Sequence, residues 1–167
     1  MADQQRLGIA ALALSAAALV GLALDEGYSS KAYPDPVRGA ALPTIGFGST
    51  GPDVRLGDTT TPPKARARAL RDVQAFEGAI KRCVKVPLHQ HEYDAYTQLA
   101  YNIGPGAFCG STIVRKLNAA DYDGACEAIL NWRFADGQDC AAPGNHSCPG
   151  LWQRRLRLRA QCLGAAP

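Results

Sequence analysis

Several scarcities in this chain of 167 residues narrow its class before any motif is read. Aromatic residues make up only 7%, whereas alanine occurs 29 times and glycine 17 times, a balance that favours helices over a β-sandwich. Charge of one sign is not in excess: 18 Lys and Arg stand against 15 Asp and Glu, with no block of like charge. The resulting net charge of +3 is far from that of a dedicated nucleic-acid binder, so no nucleic acid is expected as a partner. There is no CxxC pair, and His146 is the only histidine near a cysteine, which gives no support to a zinc site. No repeat or low-complexity linker sets off a second globular part, and with 47% hydrophobic residues one domain of ordinary size is expected.

What is present is unusual at both ends. Six cysteines, at 83, 109, 126, 140, 148 and 162, are too many for a routine cytosolic chain and read as up to three disulfides formed in an oxidising compartment. Fifteen connectivities are open to six cysteines. Cys140 and Cys148 are separated only by a Gly- and Pro-rich stretch, so a local bridge between them needs little rearrangement of the chain. At the other end, residues 7–24 (LGIAALALSAAALVGLAL) form an uncharged run that just reaches the length of a bilayer-spanning helix. Eight of these 18 residues are Leu, Ile or Val, so the gross insertion energy is only about 2–5 kcal/mol before Ala, Gly and Ser dilute it. Three readings compete: a signal peptide cleaved at an A-x-A site such as Ala16–Ala18, a buried helix, and a weak, uncleaved export anchor, which leads.

Beyond Glu26 the sequence is punctuated by Pro34, Pro36, Gly39, Pro43, Gly46 and Gly48, the pattern of a small β-region with hairpin turns. Thr61 followed by Pro62 is a helix start, and Leu70, Val73, Phe76, Ile80 and Val84 recur at helical spacing to about Cys83. A second amphipathic helix spans 90–103, with Tyr93, Tyr96, Leu99, Ala100 and Ile103 on one side, stopped by Gly104. Shorter helices are expected near 111–118 and 123–133, then a loop over 135–150. The last helix, 150–163, is expected to bury Trp152, Leu156, Ala160 and Leu163, with Arg154, Arg155, Arg157 and Arg159 on a solvated face. The fold class is therefore α+β, mainly α: a β-hairpin lobe, a long connecting helix and a helical C-terminal lobe, with a cleft expected between the lobes.

Asp25, Glu26, Asp35 and Thr44 form the densest group of catalytic-type side chains. Two carboxylates and a hydroxyl suit glycoside hydrolysis, in which one acid protonates the leaving oxygen and a second group positions water. Leu24 beside Glu26 is expected to supply an apolar setting that favours the neutral acid. His89-Gln90-His91 reads as a solvated helix start rather than a metal hook, so no metal is expected.

The stretch EGYSSKAYPD followed by TIGFG resembles the motif of phage-type lysozymes, the muramidase endolysins of tailed phages. The resemblance continues through residues 86–126 (VPLHQHEYDAYTQLAYNIGPGAFCGSTIVRKLNAADYDGAC) and PGLWQRR at 149–155, covering roughly 19–163. It implies a lysozyme-like fold that cuts the β-1,4 bond between N-acetylmuramic acid and N-acetylglucosamine by an inverting route, without a cofactor, and so causes host lysis. By matching position, Glu26 is the catalytic acid, Asp35 the second carboxylate and Thr44 the hydroxyl that holds the attacking water. Tyr101 and Asn102 match substrate-binding positions, and Asp25 a position that pairs with an arginine of the last helix, here Arg154. The family's helix packing points to bridges Cys83–Cys109 and Cys126–Cys162 beside Cys140–Cys148. Two departures are visible: eight residues separate Asp35 from Thr44 where the family has five, and Ser49 stands where a histidine is common.

Some members of this family are exported on a signal-anchor-release segment. The resemblance thus implies two parts, an anchor over 1–24 and a catalytic domain over 25–167. The protein would be held inactive in the bacterial inner membrane through residues 7–24, then released as an active periplasmic monomer acting on peptidoglycan. No cysteine lies within 7–24, so the release would be a refolding of this segment, not a thiol exchange beginning in it. The rival readings are a catalytically silent wall-binding protein on the same fold and a lytic transglycosylase, for which a lone glutamate suffices; the presence of both Asp35 and Thr44 argues against them.

Overall fold

A computed structural model of the chain describes residues 5–35 and 39–165, with backbone alone at 35 and 39–41. The chain divides into two compact units, Ala16–Ala75 on one hand and Met1–Ser15 with Phe76–Pro167 on the other.

The unit Ala16–Ala75 begins with α1 (Ala16–Glu26), whose Ala18 and Leu22, one turn apart, are buried, whereas Val20 and Leu24 face solvent. β1 (Ser29–Asp35) and β2 (Gly39–Gly46) form an antiparallel hairpin, with Tyr33 opposite Thr44 and Asp35 opposite Gly39. Its register shifts twice, between Ser29 and Tyr33 and again between Pro34 and Asp35. Such bulges are how a hairpin accommodates extra residues without losing its pairing. α2 (Pro62–Cys83) starts where Thr61 and Pro62 predict, and Ala65, Ala69 and Val73 supply its buried stripe. Small residues let the chain come close here: a methyl group on Gly46, which has φ +69°, would lie 2.8 Å from the Ala65 Cβ.

The other unit is organised around α3 (Gln90–Ile103), in which every residue from Glu92 to Ala100 is buried. Phe108, Ile113, Leu117, Ile129 and Leu158 pack with it in the core, and so does Leu12 from the N-terminal segment. A helix buried on all sides must satisfy its polar side chains within the protein. Residues 5–15 do much of this as an irregular strap with a single 3-10 turn, Ile9–Ala11. Leu7 exchanges both backbone hydrogen bonds with Leu88, at 2.8 and 2.9 Å. Arg6 donates to both carboxylate oxygens of Glu92, at 2.8 and 3.2 Å, while its guanidinium lies 3.6 Å above the Tyr122 ring. The Ser15 N–H donates to Asp94 (2.9 Å), and the Leu14 N–H to Glu77 (2.7 Å). Burial, reinforced by a hydrogen bond to Glu77, pushes the Tyr93 phenol well above its ordinary range.

The uncharged run over 7–24 is thus divided between this strap and α1. Among the described residues no helix is long and apolar enough to cross a membrane.

Short helices α4 (Pro105–Cys109), α5 (Thr112–Asn118) and α6 (Tyr122–Glu127) follow, then a 3-10 turn, Ala128–Asn131. The expected loop over 135–150 contains a small hairpin, β3 (Phe134–Ala135) with β4 (Gln138–Asp139). Three disulfides, Cys83–Cys109, Cys126–Cys162 and Cys140–Cys148, lie within this unit.

α7 (Pro149–Cys162) corrects one expectation. Its buried residues are Arg155, Leu158 and Cys162, and Leu163 is 39% exposed, so the buried face is rotated from the one expected. Arg155 is not solvated. It donates to the Trp132 carbonyl (2.7 Å) and to Asn102 Oδ1 (2.5 Å), which repay the burial of its charge. Arg159 is tied to Glu127 by a two-pronged ion pair.

Candidate active site

The last residue of α1 is Glu26, and its side chain lies directly over the backbone of Gly48. A methyl group placed on Gly48 would be 2.8 Å from Glu26 Oε2, 3.0 Å from Cγ and 3.2 Å from Cβ. Gly48 also has φ +75°, a conformation that other residues adopt only with strain. It belongs to a loop closed by Ile45 and Ser49, which exchange both backbone hydrogen bonds at 2.9 and 3.0 Å. Thr44 immediately precedes that loop. One short stretch of backbone therefore carries Thr44 at one end and the seat of Glu26 near the other.

Thr44 is 5% exposed, and its hydroxyl has no hydrogen-bond partner among the described residues. A buried hydroxyl in that condition costs free energy unless a water or a ligand supplies the bond, and such groups concentrate at functional sites. Ser49 Oγ shares this condition, at 1% exposure of the residue. The sequence marked Ser49 only as standing where a histidine is common in the family, and offered little reason to single out Gly48 beyond its place in the TIGFG stretch. The only available signal was the pair of glycines two residues apart, the mark of a chain that another group approaches closely.

The other expected site residues fall in different places. Asp35 is in β1 with its backbone paired to Gly39, and its side chain lies outside the described residues. Leu24 does not shield Glu26: it is 78% exposed, because α1 turns the opposite face inward. Asp25 is half-buried at the end of α1.

Tyr101, Asn102 and Arg154 belong to the second compact unit. The Tyr101 ring meets Phe76 edge-on, with centroids 5.1 Å apart, and the exposed Asn102 is oriented by Arg155. Arg154 is half-buried on α7. Arg155 was missed as a positioning group. Its signal was its spacing, since Leu151, Arg155, Leu158 and Cys162 recur at intervals of three and four.

The Arg68 guanidinium grips both oxygens of Asp53, at 2.7 and 2.8 Å, and holds that carboxyl down at about 2. Among the described residues no group of three or more His, Cys, Asp or Glu could hold a metal ion. His89 and His91 instead stack on each other, and His91 donates from Nδ1 to the Cys162 carbonyl at 3.0 Å.

Comparison with known proteins adds four findings. Residues 23–157 match the phage lysozyme family. The endolysin of Salmonella phage P22 is 42% identical over 130 residues, 75% of this chain and 86% of that protein. The SAR-endolysin of Pseudomonas phage phiKMV is 35% identical over 150 residues, 89% of this chain and 87% of that one. A crystal structure of a P22 lysozyme mutant superposes with a TM-score of 0.72 at 39% identity, covering 91% of this chain and 99% of that one.

Proposed function

The chain belongs to the phage lysozyme family, and from that premise we propose that Glu26 is the general acid, Asp35 the second carboxylate and Thr44 the holder of the attacking water. As an endolysin of this family it is a muramidase that hydrolyses peptidoglycan between N-acetylmuramic acid and N-acetylglucosamine and lyses the host cell. In the reaction Glu26 gives its proton to the leaving glycosidic oxygen. A water held by the Thr44 hydroxyl attacks the sugar carbon from the opposite face and gives its proton to the Asp35 carboxylate, and exchange with solvent then returns Glu26 to its acid form and Asp35 to its carboxylate. Tyr101 and Asn102 bind the glycan, and Asp25 and Arg154 hold the site's framework.

The observation that carries the reading is the seating of Glu26 on Gly48, in the loop that follows directly on Thr44, whose buried hydroxyl has no hydrogen-bond partner among the described residues. Loss of a general acid slows such chemistry by about 10²–10⁴-fold. Glu26→Gln is therefore expected to stop lysis of permeabilised cells while the melting temperature holds, and near-normal lysis would overturn the assignment. Mass spectrometry of the released glycans separates the chemistries: hydrated reducing ends support hydrolysis, and 1,6-anhydro ends would make the enzyme a transglycosylase.

Residues 7–24 are proposed to act first as a weak signal anchor in the inner membrane and then to leave it, with periplasmic activity only after release. Support comes from the uncharged Ala- and Gly-rich composition and from relatives named SAR-endolysins. While the segment is in the bilayer, α1 cannot seat Glu26, because Ala18 and Leu22 are absent from their packing. Replacing Ala16, Ala17 and Gly21 by Leu is expected to raise the insertion energy and trap an inactive protein in the membrane. Lysis on the normal schedule by that variant, or a mature protein beginning after Ala18, would put a cleaved signal peptide in place of the anchor.

A further inference from the structure

The unit Ala16–Ala75 contains a groove of about 330 Å³ that the catalytic reading does not use. It is lined by Leu19, Val20 and Ala23 of α1, Pro63 and Arg66 of α2, and Phe47. Arg66 is the only charged side chain lining it among the described residues. A glycan would find almost no hydrogen-bonding groups there, so the groove is chemically unsuited to the enzyme's own substrate.

Its surroundings project outward. Val20 is 59% exposed and Leu24 78%, one turn apart along α1, and Leu70, one turn beyond Arg66 on α2, is 45% exposed. The Tyr28 ring, 42% exposed, rests on Phe47 with centroids 5.3 Å apart. Protruding aliphatic side chains, a tyrosine and an arginine on one face are what an interfacial membrane contact requires. Lys64 and Arg71 lie elsewhere on α2, within about a helix diameter and hence about one Debye length, so they add to the attraction for a negative surface.

We propose that this face binds a bilayer surface rich in anionic phospholipid, with an acyl chain seated in the groove and a headgroup phosphate on Arg66. The folded enzyme would thus work from the membrane surface instead of diffusing freely. This inference is independent of any anchor role for residues 7–24, because it concerns α1 in its packed form.

The test uses the full-length, oxidised, folded protein and sedimentation with sucrose-loaded vesicles, either phosphatidylglycerol with phosphatidylethanolamine or phosphatidylcholine alone. Binding is expected to be at least tenfold stronger on the anionic vesicles, to weaken with salt, and to fall at least tenfold in Arg66→Glu and in Leu24→Gln. Leu70→Gln provides a second apolar variant should Leu24→Gln fail to fold. All three variants are expected to keep wild-type activity on soluble peptidoglycan fragments, which separates this surface from the catalytic assignment. Equal binding to both vesicle types, or undiminished binding by Arg66→Glu, would overturn the proposal. Concentration-dependent self-association without lipid that Leu24→Gln abolishes would overturn it in favour of a second copy on this face.

Discussion

Residues 7–15 and 16–24 are nearly the same material. Each half of the uncharged run has four residues drawn from Leu, Ile and Val, and small residues make up the rest. Their fates differ in where the backbone finds its hydrogen bonds. α1 closes most of its backbone hydrogen bonds within itself, leaving only the groups of its first and last turns to other partners, and packs through Ala18 and Leu22. The strap over 5–15 depends on groups far along the chain: the Leu88 backbone, the carboxylates of Glu77 and Asp94, and the Gln90 amide on the Ala13 carbonyl. A bilayer offers none of these, and a segment entering one must close its hydrogen bonds internally. For an anchor spanning 7–24 the two halves therefore change by different amounts: α1 keeps its conformation and exchanges its surroundings, whereas the strap must exchange its conformation as well.

The largest effect expected from disturbing this division is catalytic and falls on the α1 side. Gly48→Ala places a methyl group where Glu26 lies, and displacement of a reacting group by about 1 Å costs on the order of 10²-fold in rate. Lysis assays are expected to show that drop, while denaturant unfolding loses only about 1–3 kcal/mol to the positive φ.

On the strap side, Leu12→Ala removes a side chain that is 2% exposed in the core of the second unit and is expected to cost roughly 2–5 kcal/mol, read as a lower denaturant midpoint. Leu22→Ala, at 5% exposure in α1, is expected to cost a similar amount. Equal losses would show that both halves contribute packing alike and differ only in their hydrogen bonds.

The smallest effect is expected from Glu92→Gln, which keeps an acceptor for the His89 amide but removes the charge opposite Arg6. Arg6 is about one-third exposed, so the cost falls below that of a fully buried pair, at about 1–2 kcal/mol. That corresponds to a fall in melting temperature of roughly 2–8 °C for a chain of this size.

The parts of the fold that were legible are those in which local signals and packing agree. Thr61-Pro62 marked the start of α2, periodic Tyr and Leu marked α3, and the Gly and Pro punctuation marked the hairpin. The parts that were not legible are those decided by partners distant in sequence. An Ala- and Leu-rich run has every local reason to be one helix, yet Leu7 pairs with Leu88 and Leu12 enters the core. Ser15, a residue suited to cap a helix, stands immediately before Ala16 and was the available sign of the break. Gly104-Pro105 marked the end of one helix and equally the start of the next, since proline is well placed in a first turn. Arg155 escaped notice because charge alone suggests exposure, and only the acceptors at Trp132 and Asn102 make its burial tolerable. For the candidate site, the roles of Glu26, Asp35 and Thr44 follow from the resemblance to the phage-type lysozyme motif. The close approach of Glu26 to Gly48 depends on the path of the 45–49 loop, which spacing does not specify.

All three disulfides join residues from Cys83 onward, so no covalent ring encloses any part of the first 82 residues. The cross-linked chain is thus topologically open at its N-terminal end. Strap, α1, hairpin and most of α2 can be drawn away from the rest and returned without a bond being broken or a loop being threaded. Oxidation and the placement of the N-terminal half are independent variables. If residues 7–24 act first as an anchor, as proposed, a fully oxidised molecule is ready for its final assembly without waiting for thiol chemistry.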